Sequence, residues 1–263
     1  MNIVTSHDGT PIAFDRSGEG PPVVMVGGAL ADRTAVVPLA SILAPRFTVF
    51  AYDRRGRGDS GDTAPYAVER EIDDIEALIA EAGGPAFVFG HSSGAALALE
   101  AAAHGLAIDK LALYEPPFIV DDTRPPLPDD YIERLEDMAS TGRGGDAIAF
   151  FMTTGPGVPA EAVASMRAEP FWPAMEAMAR TLAYDGAVMD GNMSGTALPP
   201  DRWASVTMPT LVMDGGASPA WARNAVGALV EVLPNAQRRT LADQDHGADP
   251  GILAPVLQEF FTA

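Results

Sequence analysis

The chain has 263 residues, of which 47% are hydrophobic, and this suits one large domain or a core with one inserted subdomain. Lys and Arg number 17 against 36 Asp and Glu, so the net charge is −19 at pH 7. Such an acidic surface repels phosphate backbones and anionic membrane faces, and we expect neither nucleic acid nor a membrane as a partner. The absence of cysteine excludes disulfides, thiolate nucleophiles and cysteine metal sites.

The N-terminal residues lack a basic start followed by an apolar run, and no stretch reaches the roughly 18 apolar residues of a membrane helix. We therefore expect a cytoplasmic protein, either a monomer or a homodimer. The four histidines are scattered and no G-x-G-x-x-G motif follows a strand, so no metal and no organic cofactor is expected.

In chain order, the first elements are two short apolar runs, residues 3–5 and 12–14, whose polar connection predicts a hairpin at the edge of a sheet. Longer apolar runs bounded by turn residues then predict strands that are buried on both faces. Amphipathic or Ala-rich patterns between and after them predict helices. This alternation indicates an α/β fold with a mostly parallel sheet. The predicted strands are 23–26, 47–52, 87–89, 111–114, 210–213 and 239–241, and the helices are 68–79, 95–103, 221–232 and 250–261.

The alternation of strands and helices is interrupted at residues 116–205. This segment is rich in Pro, Met, Phe and Trp, and its pattern predicts helices but no strand. We expect a core formed by residues 1–115 and 206–263, with the insertion as a helical cap over the carboxyl edge of the sheet. The apolar side chains of the insertion are interpreted either as its own core or as the wall of a substrate pocket. The candidates are Phe150, Phe151, Met152, Met166, Phe171, Trp172, Met175 and Met178.

A candidate nucleophile lies in residues 90–94, Gly-His-Ser-Ser-Gly, which match the motif G-x-S-x-G. The predicted strand at 87–89 runs directly into the motif, and an Ala-rich helix follows it. This strand–turn–helix setting is what a nucleophilic serine requires, because it exposes the hydroxyl of Ser92 on a strained bend. The alternative is a glycine-rich turn with an incidental serine.

A serine nucleophile needs backbone donors for the oxyanion that forms in the reaction. We expect one donor to be the N–H of Ser93 and the other the N–H of Ala29, in the Gly-Gly turn after the strand at 23–26. The alternative interpretation of residues 27–28 is an ordinary turn.

The four histidines are the candidates for the general base. His7 lies in the predicted edge hairpin, His104 ends the helix after the motif, and His91 is expected to point away from the serine's face. His246 lies on a polar loop before the last helix, where it can return to Ser92, unless it is a solvated loop histidine.

Four segments together resemble the α/β-hydrolase family: residues 27–30, residues 52–60 (Tyr-Asp-Arg-Arg-Gly-Arg-Gly-Asp-Ser), residues 90–94 and the late His246-Gly. The resemblance covers nearly the whole chain and is weak in residues 116–205, where that family carries its helical cap. It implies an eight-stranded, mostly parallel sheet and a catalytic triad in the order serine, acid, histidine.

The family's usual acid position is occupied here by Ser218, within Pro-Thr-Leu-Val-Met-Asp-Gly-Gly-Ala-Ser at 209–218. Ser218 followed by Pro219 predicts the N-cap and first turn of a helix. A serine cannot supply the charge that stabilises an imidazolium, so we expect another carboxylate to do so.

Glu115, at the end of the strand before the insertion, is the first candidate for the acid. Some family members, the haloalkane dehalogenases among them, take their acid from that position, and Pro116 is expected to hold Glu115 extended. Asp214 is the second candidate, at a strand end but three to four residues too early. Asp243 and Asp245 are too close in sequence to the histidine to orient its ring.

These residues predict a serine hydrolase that acts on a small or medium hydrophobic ester, lactone or thioester through a Ser92 acyl-enzyme. A serine-dependent carbon–carbon hydrolase or a perhydrolase-like activity would use the same residues. Dehalogenase and epoxide hydrolase activities are disfavoured because those enzymes attack through a carboxylate. The alternative from another class is a ligand-binding protein with vestigial activity, which the missing usual acid supports.

Overall fold

One eight-stranded sheet organises the computed structural model, which describes residues 1–263. The strands lie in the order β1-β2-β4-β3-β5-β6-β7-β8; β1 and β2 form an antiparallel edge hairpin, and all neighbours from β4 to β8 are parallel. This confirms the predicted α/β fold and its strand number. The strands are β1 (Asn2–Thr5), β2 (Pro11–Ser17), β3 (Pro22–Val26), β4 (Thr48–Tyr52), β5 (Ala86–His91), β6 (Ile108–Tyr114), β7 (Thr210–Gly215) and β8 (Ala236–Leu241).

Ten α-helices and two short 3-10 helices accompany the sheet. Sequence periodicity did not predict α1, because it is short and follows a 3-10 turn at Arg33–Val36. The helices are α1 (Val37–Leu43), α2 (Val68–Glu81), α3 (Ser93–Ala103), α4 (Tyr131–Ser140), α5 (Gly144–Thr154), α6 (Ala160–Met166), α7 (Trp172–Met178), α8 (Leu182–Val188), α9 (Ala220–Val232) and α10 (Pro250–Thr262). None of them combines the length and apolar character that crossing a membrane requires.

The sheet is covered on both faces, which explains why its central strands are continuous apolar runs. One hydrophobic cluster joins the sheet to α2, α3 and α9 through residues such as Ile75, Leu97 and Val226. The other joins it to α1 and α10 through residues such as Leu43 and Leu257. Loops at the carboxyl ends of the parallel strands are therefore supported by a packed core on either side.

Between β6 and β7 the chain forms α4 to α8 and no strand. These helices have a small hydrophobic cluster of their own, which includes Leu135, Ile148 and Trp172. A separate core suits the cap domain that the sequence predicts for residues 116–205, and the division into two domains stays a prediction. In either case the insertion leaves the sheet directly after Glu115, so its first residues start beside the carboxyl edge.

Candidate active site

Ser92 lies on a bend between β5 and α3, with φ 58° and ψ −128°. A positive φ is strained for a residue with a side chain, and it places Ser92 outside both the strand and the helix. The amide of Ser92 donates to the carbonyl of Tyr114 on β6 at 2.9 Å. This contact fixes the bend next to the end of β6, where Glu115 follows.

The bend packs closely against the loop after β3, and this approach requires glycine. A Cβ at Gly94 would lie 2.3 Å from the carbonyl oxygen of Val26, and one at Gly28 would lie 2.9 Å from the Cβ of Ser92. The amides of Ala29 and Ser93 line the same cavity as Ser92 and donate to no acceptor in the protein. Both N–H groups therefore lack a partner within the protein.

Glu115 and His246 are joined by a hydrogen bond between Glu115 Oε2 and His246 Nδ1, with a length of 2.7 Å. The His246 side chain is 48% exposed, whereas that of Glu115 is 1% exposed. The loop that carries His246 is tied to β6 because Tyr114 donates its hydroxyl to the carbonyl of Asp245 at 2.5 Å. His246 and Ser92 line one cavity, and the structure records no hydrogen bond between them. Such a bond is often long until substrate binds.

The carboxylate of Glu115 is held by more than the histidine. Burial opposes its charge, but hydrogen bonds from His246 and from the amide of Gly215, at 2.8 Å, together with the nearby Ser218 hydroxyl, lower the pKa of Glu115 overall. Glu115 is therefore ionised near neutral pH, as a group that stabilises an imidazolium must be.

Asp214, the second candidate for the acid, is fully buried but engaged elsewhere. Its carboxylate accepts from Arg238 Nη2 at 2.7 Å and from the hydroxyl of Thr240 at 2.8 Å. Both partners belong to β8, which pairs with β7 alongside Asp214. Asp214 forms no hydrogen bond or ion pair with His246, whereas Glu115 forms both.

Two sequence expectations around the acid were wrong. Ser218 does not cap a helix, because α9 begins at Ala220 and the buried Ser218 hydroxyl forms no hydrogen bond; it lies beside Glu115 with a geometry that falls short of one. Glu115 is not extended before Pro116 either, since its φ is 46°, in the left-handed region. This turn sends the chain into the insertion and leaves the carboxylate beside His246.

The expectation that His91 points away from the site was also wrong. His91 Nε2 lies 2.8 Å from the carbonyl oxygen of His246, and the two rings are 4.8 Å apart. Burial, with a smaller contribution from the charge of His246, lowers the pKa of His91 to about 4. His91 is thus neutral near pH 7 and donates to the His246 backbone, which positions the loop of the second histidine.

The other two histidines lie elsewhere. His104 bonds the carbonyl of Glu100 at the end of α3, and His7 lies in the turn between β1 and β2. No three His, Asp or Glu side chains are grouped so that they could hold a metal ion.

A buried ion cluster that sequence reasoning missed lies behind the bend. Asp185, on α8 of the insertion, accepts from Ser93 Oγ and from Arg54, both at 2.7 Å, and from Arg57 at 2.8 Å. Arg57 also donates to the carbonyl of Gly28 at 2.5 Å. The cluster therefore ties the insertion to both segments that carry the free amides.

The cavity in front of Ser92 has a volume of about 560 Å³ and a mostly apolar wall. Of the apolar side chains that the sequence proposed for a pocket, only Phe151 lines it, while Trp172 belongs to the core of the insertion and Phe171 is exposed. Other residues of the insertion, among them Met189 and Met193, complete the wall. A space of this size and character suits a small or medium-sized apolar ligand.

Comparison with known proteins agrees with this geometry. The chain matches the Alpha/beta hydrolase family over residues 23–255. An alpha/beta hydrolase from Sphaerobacter thermophilus DSM 20745 is 60% identical and superimposes with a TM-score of 0.92 over 99% of this chain and 100% of that one. The chain belongs to the alpha/beta hydrolase family, which confirms the resemblance and supports an enzyme.

Two further relatives also carry the names of hydrolytic enzymes. The uncharacterized hydrolase YraK from Bacillus subtilis (strain 168) is 38% identical over 96 residues, and the match covers only 35% of each chain. The enol-lactonase from Burkholderia xenovorans LB400 is 22% identical over the full length of both chains, with a TM-score of 0.71. This last likeness shows the fold alone.

Proposed function

We propose that the protein is a serine hydrolase that cleaves a small or medium hydrophobic ester, lactone or thioester through an acyl-enzyme on Ser92. The observation that carries the proposal is the 2.7 Å hydrogen bond from His246 to a buried, ionised Glu115, in the cavity that Ser92 lines from a strained bend. Nucleophile, base and acid thus come from the ends of β5, β8 and β6, which meet at one edge of the sheet.

In the proposed reaction, Ser92 Oγ attacks the acyl carbon and its proton moves to His246 Nε2. Glu115 holds Nδ1–H, which keeps the imidazole in the tautomer that can accept this proton. The oxyanion of the tetrahedral intermediate accepts from the amides of Ala29 and Ser93. His246 then protonates the leaving alcohol or thiol, and a water molecule deprotonated by the same histidine releases the acid and restores the Ser92 hydroxyl.

The substrate class follows from the cavity and from the relatives. A mostly apolar space of about 560 Å³ favours acyl groups of modest size over polymers. The enol-lactonase shares this fold, so a lactone belongs among the first substrates to try. A carbon–carbon hydrolase or a perhydrolase-like activity would use the same serine and histidine.

A ligand-binding protein with vestigial activity is the alternative from another class. Its main support was the serine at the family's usual acid position. The Glu115–His246 hydrogen bond weakens that argument, because it supplies a carboxylate from a different strand end.

A fluorophosphonate probe, which reacts with activated serines, distinguishes a serine hydrolase from a ligand-binding protein. We expect stoichiometric labelling of the wild type and none of Ser92→Ala or His246→Ala. His104→Ala is the matched control, since His104 lies at the end of α3 away from the cavity and should label normally. A screen of chromogenic esters of increasing acyl length, run with the same four proteins, then gives the pocket size. Wild type that neither labels nor hydrolyses any ester would support the ligand-binding protein instead.

A further inference from the structure

Arg124 brings a positive charge to the wall of the otherwise apolar cavity. It lies in the first segment of the insertion and is the only Arg or Lys among the residues that line this space. Its guanidinium lies over the ring of Trp221 on α9, 4.5 Å from the centroid, and Nη2 donates to the carbonyl of Thr154 at 3.0 Å. These contacts fix the group at the junction of the insertion and the sheet domain.

The guanidinium of Arg124 has no acidic partner, although the chain has 36 Asp and Glu. Most arginines form ion pairs, Arg54, Arg57 and Arg238 among them. Arg16, Arg46 and Arg223 form none, but they are exposed to water, whereas Arg124 is half-buried. A half-buried cation is costly unless something compensates it. Burial accordingly lowers the pKa of Arg124, and no carboxylate offsets this effect.

Donors therefore remain free at this wall. A guanidinium has five N–H groups, and the protein uses one of those on Arg124. Tyr131, the first residue of α4, also lines the cavity, and its hydroxyl makes no hydrogen bond with the protein. Arg124 and Tyr131 thus belong to the wall of the same cavity. Together they offer a fork of N–H donors and one O–H donor to the same space as Ser92.

We propose that Arg124, assisted by Tyr131, binds a carboxylate of the substrate, so that the acyl compound cleaved at Ser92 carries a second, free carboxyl group. This inference rests on the proposed function and narrows its substrate class from hydrophobic acyl compounds to half-esters, thioesters or lactones of dicarboxylic acids. The apolar wall between the two ends would contact the carbon chain that joins them.

A carboxylate suits the site better than a phosphate. A guanidinium pairs with a carboxylate through two parallel hydrogen bonds, which needs one cation and one plane. A phosphate monoester carries nearly two charges, and this cavity offers no second cation to balance them. The rest of the molecule repels any anion, since the net charge is −19. A preference for anionic substrates would therefore have to come from Arg124.

The experiment compares two esters that differ in charge and by one methyl group, 4-nitrophenyl hydrogen glutarate and its neutral methyl ester, with the succinate and adipate pairs as length variants. We expect the wild type to prefer the anionic member of at least one pair in kcat/KM. Arg124→Gln should lose about 10- to 100-fold on that substrate, the size of a charge-assisted hydrogen bond, and change little on the neutral one. On the anionic substrate, the kcat/KM of Arg124→Lys should lie between those of the wild type and Arg124→Gln, because lysine keeps the charge but not the forked pair of donors.

Arg223→Gln is the matched control, because it makes the same change of net charge at an exposed arginine without an ion pair. It should leave both esters unaffected. If Arg124→Gln fails to fold, the wild-type comparison of charged and neutral esters still decides, since only a cationic subsite makes this acidic protein favour the anion.

Binding is measured separately from catalysis, by calorimetry with glutarate, succinate and adipate on the Ser92→Ala protein with and without Arg124→Gln. Dicarboxylate binding that disappears in the Arg124→Gln variant supports the subsite, even if no ester is hydrolysed. In that case the proposed hydrolase function is refuted and the subsite is not. Hydrolysis that favours neutral esters, with no dicarboxylate bound or with binding indifferent to Arg124→Gln, overturns the subsite and leaves the serine hydrolase standing.

Discussion

Replacing Glu115 by glutamine tests the identity of the acid most directly. The carboxylate accepts from the Gly215 amide at 2.8 Å and from His246 Nδ1 at 2.7 Å. The new amide can still accept from Gly215 through its oxygen, but its NH₂ group then faces Nδ1 and cannot accept a proton from it. The imidazole would carry its proton on Nε2, where it cannot take one from Ser92.

The expected loss is therefore catalytic. Removing the acid of such a triad costs about 10⁴ in turnover, or roughly 5 kcal/mol of transition-state stabilisation. The fold should change little, because the substitution keeps the shape and removes a buried charge at the same time. The rate of fluorophosphonate labelling measures the effect without a known substrate, and urea unfolding measures stability.

Asp214→Asn is the matched control, with the opposite expected pattern. Asp214 is fully buried and bonded to Arg238 and Thr240, so its loss should cost about 1–3 kcal/mol of stability and leave labelling within about tenfold of the wild type. If Glu115→Gln labels at the wild-type rate, or if Asp214→Asn is the variant that loses reactivity, the acid has been assigned to the wrong carboxylate.

Two further predictions concern charges near the bend. Asp185→Asn should destabilise the protein by about 3–5 kcal/mol in urea unfolding, because it leaves the buried Arg54 and Arg57 undercompensated; exposed Asp201→Asn should not. Between pH 7 and 4, His91 is protonated in the unfolded chain but not in the folded protein, where its pKa is about 4. The free energy of unfolding should therefore decrease as the pH is lowered, and it should decrease less steeply in His91→Gln. Equal slopes would contradict the second prediction.

The sheet and the bend at Ser92 could be predicted because each depends on a short stretch of chain. Apolar runs that end in Gly-containing turns specify parallel strands. Glycine at 90 permits the close approach of β5 and α3, and glycine at 94 permits that of α3 and the end of β3. Glu115 could be proposed for the same reason, as a carboxylate at a strand end. Its left-handed backbone could not, since residues before proline ordinarily favour extended conformations.

The buried ion cluster could not be predicted from the sequence. On α2, Glu71 and Asp74 fall on positions that the hydrophobic periodicity assigns to a solvated face, yet both are buried. Their partners Arg54 and Arg55 come from the loop after β4. Asp185, the other partner of Arg54, is 131 residues away along the chain. Periodicity describes one element at a time, so it cannot anticipate charges that are buried only because another element brings the counter-charge.

The serine at position 218 and the acid at position 115 form a single arrangement. Ser218 is buried beside the Glu115 carboxylate, and its hydroxyl helps to lower the pKa of that group. A carboxylate at both positions would place like charges together, which raises the pKa of one of them. A neutral residue at 218 is therefore the condition under which Glu115 can stay ionised.

This reasoning predicts the outcome of a double substitution. Ser218→Asp alone should slow fluorophosphonate labelling, because it disturbs the ionisation of Glu115. In the Glu115→Gln background the same change should raise labelling by about tenfold or more, since it returns a charge to the place from which the family usually orients its histidine. Ser218→Asn, which has the same shape without the charge, should recover nothing. Equal recovery with Asp and Asn would mean that packing, and not charge, links the two positions.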